Sequence, residues 1–200
     1  YFAVGYFHKS IANAIYPTYQ RNGTFNGLIF NDGVETWINA EDSTIDGVEL
    51  SAQYGWDNGL YVATNFTWTD SESTFKFEDE EEFTAPFRKL ADKAANVNFG
   101  YNKGSWDIRV AGNYRSDYLD WLADEDGDIG EVSANNSRYV DDFMQWDVTA
   151  KYKVNDSFGI KVEAINLNDR PEYYYWGDES QLSQFDMYGK NYSVSLNYTW

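Results

Sequence analysis

The sequence contains no cysteine, a single histidine (His8) and three prolines. Without cysteine there is no disulfide, no thiolate nucleophile and no zinc-thiolate site, and one imidazole cannot build a histidine metal cluster. Missing disulfides do not settle the compartment. Cations are scarce as well: 15 Lys+Arg stand against 33 Asp+Glu in 200 residues, a formal net charge of −18. That balance excludes a nucleic-acid binder, because nothing in it could displace counterions from a phosphate backbone. No apolar run approaches the roughly 18 residues of a membrane-spanning helix, and no basic start leads into an apolar stretch as a secretory signal would. The mean hydropathy of −0.64 reads as soluble, yet a transmembrane β-barrel hides its apolar face in every second residue and reads the same.

Aromatic residues are abundant: 8 Trp, 17 Tyr and 13 Phe make up 19% of the chain. Disordered chains are depleted in aromatic residues, so an ordered domain is expected. The chain opens on Tyr-Phe-Ala-Val-Gly-Tyr-Phe, a strand already under way, which predicts a segment of a larger protein.

Alternation with period two is the dominant pattern. Trp106, Ile108, Val110, Gly112 and Tyr114 oppose Asp107, Arg109, Ala111, Asn113 and Arg115, the signature of a strand with one apolar and one polar face. Met144 to Lys153, Val48 to Trp56 and Tyr192 to Trp200 repeat it. Leu60 to Thr69, Ala95 to Tyr101 and Phe158 to Ala164 do so with less polar opposite faces, and Phe2 to about Ile15 fits a strand of undecided facing. About eight strands result.

The connections alternate strictly in length. Asp57-Asn58-Gly59, Asn102 to Ser105 and Val154 to Ser157 have the Asn, Asp and Gly content of tight hairpin turns. Residues 16–35, 72–91, 120–138 and 168–187 are long and polar. Short turns therefore lie at one end of an up-and-down sheet and long loops at the other, as in outer-membrane barrels. Ten residues at about 3.4 Å each, tilted about 45°, climb roughly 24 Å, the height of such a barrel's apolar band. Trp56, Trp68, Tyr101, Trp106, Tyr152, Tyr198 and Trp200 sit at strand ends, where an interfacial girdle belongs. The fold class is all-β, an antiparallel up-and-down transmembrane barrel; a soluble antiparallel sandwich is the other reading of the same periodicity.

Several segments add a resemblance. Gly47-Val48-Glu49-Leu50, Asn96 to Asp120 (NVNFGYNKGSWDIRVAGNYRSDYLD), Tyr139 to Asp147, Ala164 to Pro171 (AINLNDRP) and Tyr188 to Trp200 resemble, in order and spacing, the C-terminal barrel of TonB-dependent receptors. The resemblance implies a 22-stranded barrel with an N-terminal plug, which takes up a scarce nutrient with energy relayed by TonB. Residues 1–200 would be about the last eight strands, with the plug and the TonB-contacting segment outside them. It further implies an outer-membrane location, contact with outer-membrane lipid, and recognition by the barrel-assembly machinery through the closing strand Tyr192, Val194, Leu196, Tyr198 and Trp200. The similarity is closest to the branch associated with carbohydrate uptake. A complete eight-stranded structural or adhesive barrel is the alternative, and its interior would be filled with side chains.

Candidate sites follow from facing and composition. Glu49, Gln53, Asp107, Arg109, Asn113, Arg115, Asp147, Lys151, Lys161 and Glu163 are expected to face the lumen, where they contact the plug, line the substrate path, or only solvate the interior. Tyr173, Tyr174, Tyr175 and Trp176 offer aromatic faces for a sugar or an aromatic siderophore. Asp124, Asp126 and Asp128 occupy positions 1, 3 and 5 of a calcium loop. Ile129 replaces the required Gly and Asn135 the closing Glu, so an acidic loop is expected there and no metal site. Glu78 to Glu82, an unbroken acidic run, reads as a solvated loop tip. A Ser-His-carboxylate centre would have to use His8, and no partner stands at a recognisable sequence spacing. Neither an enzyme nor a cofactor is expected.

Overall fold

A computed structural model describes residues 1–20, 23–25, 28–30, 34–76, 82–122 and 137–200. The chain starts with β1 (Phe2–Ala12), continues through β2 (Ile15–Gln20), β3 (Gly23–Phe25), β4 (Leu28–Phe30) and β5 (Val34–Asn39), and returns along β6 (Asp42–Gly55). A tight turn leads to β7 (Leu60–Phe75), followed by the short β8 (Phe83–Ala85) and by β9 (Lys93–Lys103). A second tight turn enters β10 (Trp106–Arg115); β11 (Tyr118–Trp121) and β12 (Arg138–Val140) precede β13 (Phe143–Lys153). A third turn gives β14 (Phe158–Ile165), then β15 (Glu172–Trp176), β16 (Leu182–Asp186) and the closing β17 (Asn191–Tyr198).

The long strands form one antiparallel sheet in the order β1-β6-β7-β9-β10-β13-β14-β17, with β8 added to β7. Its end strands, β1 and β17, lie at opposite limits of the path. This is an open wall, neither a closed eight-stranded barrel nor two packed sheets. Short and long connections alternate as expected. Asn58 and Asn155 close two of the turns by accepting downstream backbone N–H groups at 2.9–3.0 Å.

Register converts sequence parity into two continuous faces, since directly opposed residues in an antiparallel pair point the same way. One row runs Val4, Leu50, Phe66, Ala95, Tyr114, Met144. Another runs Val62, Phe99, Val110, Val148, Ala164, Tyr192. This apolar band lies on the surface, with Val4 61% and Val194 69% exposed. Leu60 to Trp68 spans about 21 Å of height at about 3.4 Å per residue and a tilt of about 40°, near the band height of outer-membrane barrels.

Three boundaries differ from the sequence expectation. The strand beginning at Phe2 ends at Ala12, because Asn13 adopts a left-handed conformation (φ 55°) and the chain turns into β2. Strand β6 starts six residues before Val48, at Asp42, and β7 runs to Phe75. Above the apolar band the alternation disappears, since Asp46 opposes Asp70 and Thr44 opposes Glu72, yet the ladder continues to Asp42–Thr74. The regions expected as plain loops also contain strands: β11-β12-β15-β16 is a separate four-stranded sheet, and β2 pairs with β5.

These upper elements share a small core of Ala14, Tyr16, Ala40, Phe75, Ala85, Leu119 and Leu122. Tyr16 meets Phe75 edge-on at 4.9 Å between ring centres. Its hydroxyl is hydrogen-bonded to Ser73 at 2.7 Å and accepts the Arg88 backbone N–H at 3.3 Å. Three long connections are thereby packed against each other as a crown on the wall.

Candidate functional site

All the charged and amide residues expected to line an interior fall on the face opposite the apolar band. Asp107 opposes Lys151, which opposes Lys161; Thr149 stands between Arg109 and Glu163; Asn113 opposes Gln145; Asp147 opposes Ala111. Glu49 and Gln53 join through Thr67 and Ala63. They share a face but do not form one cluster, and their contacts separate them into three kinds.

Some are paired within the wall. Lys151 Nζ reaches Asp107 at 3.3 Å and Lys161 Nζ reaches Glu163 at 2.7 Å. Others hold the crown to the wall. The Arg115 guanidinium donates to Glu172 Oε1 at 2.6 Å and to the Asp141 carbonyl at 2.8 Å, and lies 4.7 Å over the Tyr118 ring. Asp147 Oδ1 accepts the Asn166 N–H at 2.9 Å and the Gln145 amide at 2.8 Å, so it secures the end of β14. A third group is open: Arg109 is exposed, and neither it nor the Asn113 side chain has a hydrogen-bond partner among the described residues.

Tyr173 to Trp176 lie on strand β15, where alternation sends Tyr173 and Tyr175 to one face and Tyr174 and Trp176 to the other. Tyr175 is buried and stacked on Tyr139 with ring centres 5.7 Å apart. Tyr173 packs on Phe185 at 4.9 Å. Each guanidinium nearby adds a cation–π contact: Arg138 lies 5.2 Å over Tyr174 and Arg170 lies 5.6 Å over Tyr173. The run is thus chiefly a packing element of the crown, with Trp176 left at the surface. Burial, and secondarily the Glu172 carboxylate, push the Tyr174 phenol up to about 12. Burial and Asp117 raise Tyr175 as well. Both therefore stay neutral donors, to Glu172 at 3.3 Å and to Asp117 at 3.4 Å.

Sequence reasoning missed the ionic skeleton of the crown. Arg138 binds Asp120 through Nε at 2.8 Å and again through Nη2; Arg88 donates to the Asp120 carbonyl; Arg170 holds Asp141 at 2.9 Å and Asp142 at 3.1 Å. These residues lie in aperiodic polar segments, so only pairing between distant strands identifies them. Sequence spacing offers His8 no partner for a catalytic centre, and only register supplies a neighbour. Register sets Asp46 opposite His8, and Nδ1 lies 2.9 Å from Asp46 Oδ1, which also accepts the Tyr6 hydroxyl at 2.5 Å. The possible calcium positions Asp124, Asp126 and Asp128, and the acidic residues 78–81, lie outside the described residues.

On the closing strand, Tyr192, Val194, Leu196 and Tyr198 belong to the apolar band and pair with Ala164, Val162, Ile160 and Phe158 of β14. Trp200 follows the strand fully exposed.

No curated protein matches the chain. Among solved structures, it is similar to the ferric enterobactin receptor PfeA of Pseudomonas aeruginosa, with a TM-score of 0.63 at 12% identity, covering 100% of this chain and 29% of that one. It is also similar to the siderophore receptor PiuA of Acinetobacter baumannii, with a TM-score of 0.62 at 15% identity, covering 98% of this chain and 26% of that one. The chain spans under a third of the length of either, and at such identity the likeness concerns the fold. The family model described as "TonB dependent receptor-like, beta-barrel" matches residues 1–167. With that match and the two-faced wall beneath its loop crown, the chain belongs to the TonB-dependent receptor β-barrel family of the outer membrane.

Proposed function

We infer that residues 1–200 form the C-terminal barrel wall and external crown of a receptor that takes up a scarce nutrient, a carbohydrate or siderophore-type ligand, with energy relayed by TonB. The observation that carries this reading is the division of one open sheet into an uninterrupted apolar band and a polar face. In a wide barrel the band meets lipid and the polar face lines the lumen. Glu49, Gln53, Asp107, Arg109, Asn113, Lys151, Lys161 and Glu163 then line the path or meet a plug, while Arg115 and Asp147 position the crown. A plug and a TonB-contacting segment belong to the same protein outside this chain.

The open edges of β1 and β17 support a larger barrel, because unpaired strand groups in hydrocarbon cost several kcal/mol each. Tyr192, Val194, Leu196, Tyr198 and Trp200 form the closing-strand signal read by the barrel-assembly machinery. The test is uptake by cells expressing the full-length gene, with and without TonB. Accumulation of a nutrient that disappears with TonB supports the reading. Accumulation unchanged without TonB, or a full-length gene encoding no plug, rejects it.

A further inference from the structure

Across the middle of the polar face, register aligns Ser51, Asn65, Asn96, Asn113 and Gln145 in one unbroken row over β6, β7, β9, β10 and β13. Every member is neutral. Neighbouring strands lie about 4.8 Å apart, so the row spaces planar donor–acceptor groups over about 19 Å. Ser51 donates to Asn65 at 2.8 Å, and Gln145 is turned to Asp147 at 2.8 Å. The side chains of Asn96 and Asn113 have no hydrogen-bond partner among the described residues, and each offers two donor hydrogens and a carbonyl oxygen.

Two rows nearer the tight turns, Tyr61 opposes Gly100. A methyl group on Gly100 would run into the Tyr61 ring; with only hydrogen there, the ring lies against the wall. Charge on this face is largely neutralised internally. Lys151 and Lys161 are engaged by Asp107 and Glu163, and Arg115 by Glu172, while Lys9 lies over Phe7. Arg109 has no carboxylate partner among the described residues.

We propose that this neutral row, with the Tyr61 ring two rows from it on the same face, is a binding track for a neutral, hydroxyl-rich ligand, a glycan chain, in preference to an anionic metal chelate. The inference rests on the uptake reading above and names the ligand class for it. Carboxamides donate and accept in one plane and match sugar hydroxyls, which do both. An aromatic face packs against the apolar face of a sugar ring. An anionic chelate needs cations free to pair with it, and the field of a chain with 33 acidic and 15 basic residues opposes its approach.

The test uses the full-length receptor in detergent, an array of neutral and acidic oligosaccharides, and ferric tris-catecholate read by tryptophan fluorescence. The receptor is expected to bind a neutral oligosaccharide. The double variant N96A/N113A weakens that binding about tenfold, as expected for two lost hydrogen bonds, and G100A, which displaces the Tyr61 ring, also weakens it. N96D/N113D, isosteric but charged, weakens it too and serves as the check should the alanine variant fail to fold. Heat-modifiable migration on a gel stays at the wild-type value in the folded variants. Binding to no neutral oligosaccharide overturns the proposal. So does glycan affinity unchanged in these variants while the heat stability falls, which would assign the row to holding the plug. TonB-dependent accumulation of ferric catecholate that N96A/N113A leaves unaltered overturns the glycan track and leaves the uptake reading intact. Glycan binding lost in N96A/N113A but without TonB-dependent accumulation does the opposite.

Discussion

Asn168 stands against the edge of β13 where the peptide group of a neighbouring strand would be, accepting the Trp146 N–H at 3.1 Å. Its amide also donates to the Met144 carbonyl at 2.6 Å. Strand β14 pairs with β13 only from Val148 to Lys153, so above that point the Leu167 N–H, donating to the Trp146 carbonyl at 2.8 Å, and the Asn168 side chain complete the ladder. Two residues earlier, Asn166 is buried in a left-handed conformation (φ 56°). Its carboxamide accepts the Arg170 N–H at 2.9 Å and donates to the Gly189 carbonyl at 3.2 Å. The AINLNDRP segment is therefore a corner built from two asparagines.

This corner makes a graded prediction. N168A removes partners from an exposed edge that water can partly replace, at a cost of about 1 kcal/mol. N166G loses buried hydrogen bonds but keeps a permissive backbone, whereas N166A adds about 1 kcal/mol or more for the left-handed conformation. The heat-modifiability midpoint of the full-length receptor should fall furthest for N166A. An N166A variant as stable as N166G would contradict the backbone argument.

The Arg138–Asp120 pair should matter to the crown more than to the wall. The Asp120 side chain is 9% exposed and the Arg138 side chain 26%, so R138M leaves a carboxylate nearly buried without its partner. Breaking a buried pair on one side costs about 3–5 kcal/mol, and partial exposure places this one toward the lower end. Limited proteolysis is expected to cut the R138M crown while gel migration of the barrel stays wild-type. The double variant R138M/D120L should recover protection. Equal sensitivity of the single and double variants would show that the pair has no such role.

Alkaline pH should loosen the same sheet. A phenol raised from 10 to about 12, as for Tyr174, binds its proton more tightly in the folded crown than in the opened one. The opened form loses the proton first, so crown stability is intact below pH 10 and falls as pH rises from 10 to about 12. Protease susceptibility of the crown should rise across that window, and Y174F should blunt the rise. A response confined to pH below 10 would point to other groups.

The wall was readable from sequence because a sheet with one apolar and one polar face imposes period two on every strand. Trp106 and Asp107 disclose their opposite facing without any knowledge of a partner, and Asp57-Asn58-Gly59 discloses its turn. Above the apolar band one face meets water and the other is buried beneath the crown through small polar residues such as Ser43 and Ser73, so Asp42 to Gly47 and Asp70 to Phe75 lost the contrast that marks a strand, although their pairing persists. The crown was not legible for a related reason. Arg138 finds Asp120 across 18 residues, Arg115 finds Glu172 across 57, and Tyr16 finds Ser73 across 57. No local period records those distances.

The neutral row shows where the two kinds of information meet. Parity alone assigns Ser51, Asn113 and Gln145 to the polar side of their strands. That they fall level with one another, and with Asn65 and Asn96, depends on register. A one-residue slip would carry a strand's side chains to the other face. By itself, the sequence determined which residues share the polar face, because each strand's alternation is a local property. Which of those residues become neighbours was decided only by the tertiary structure, because hydrogen-bond register is a relation between strands.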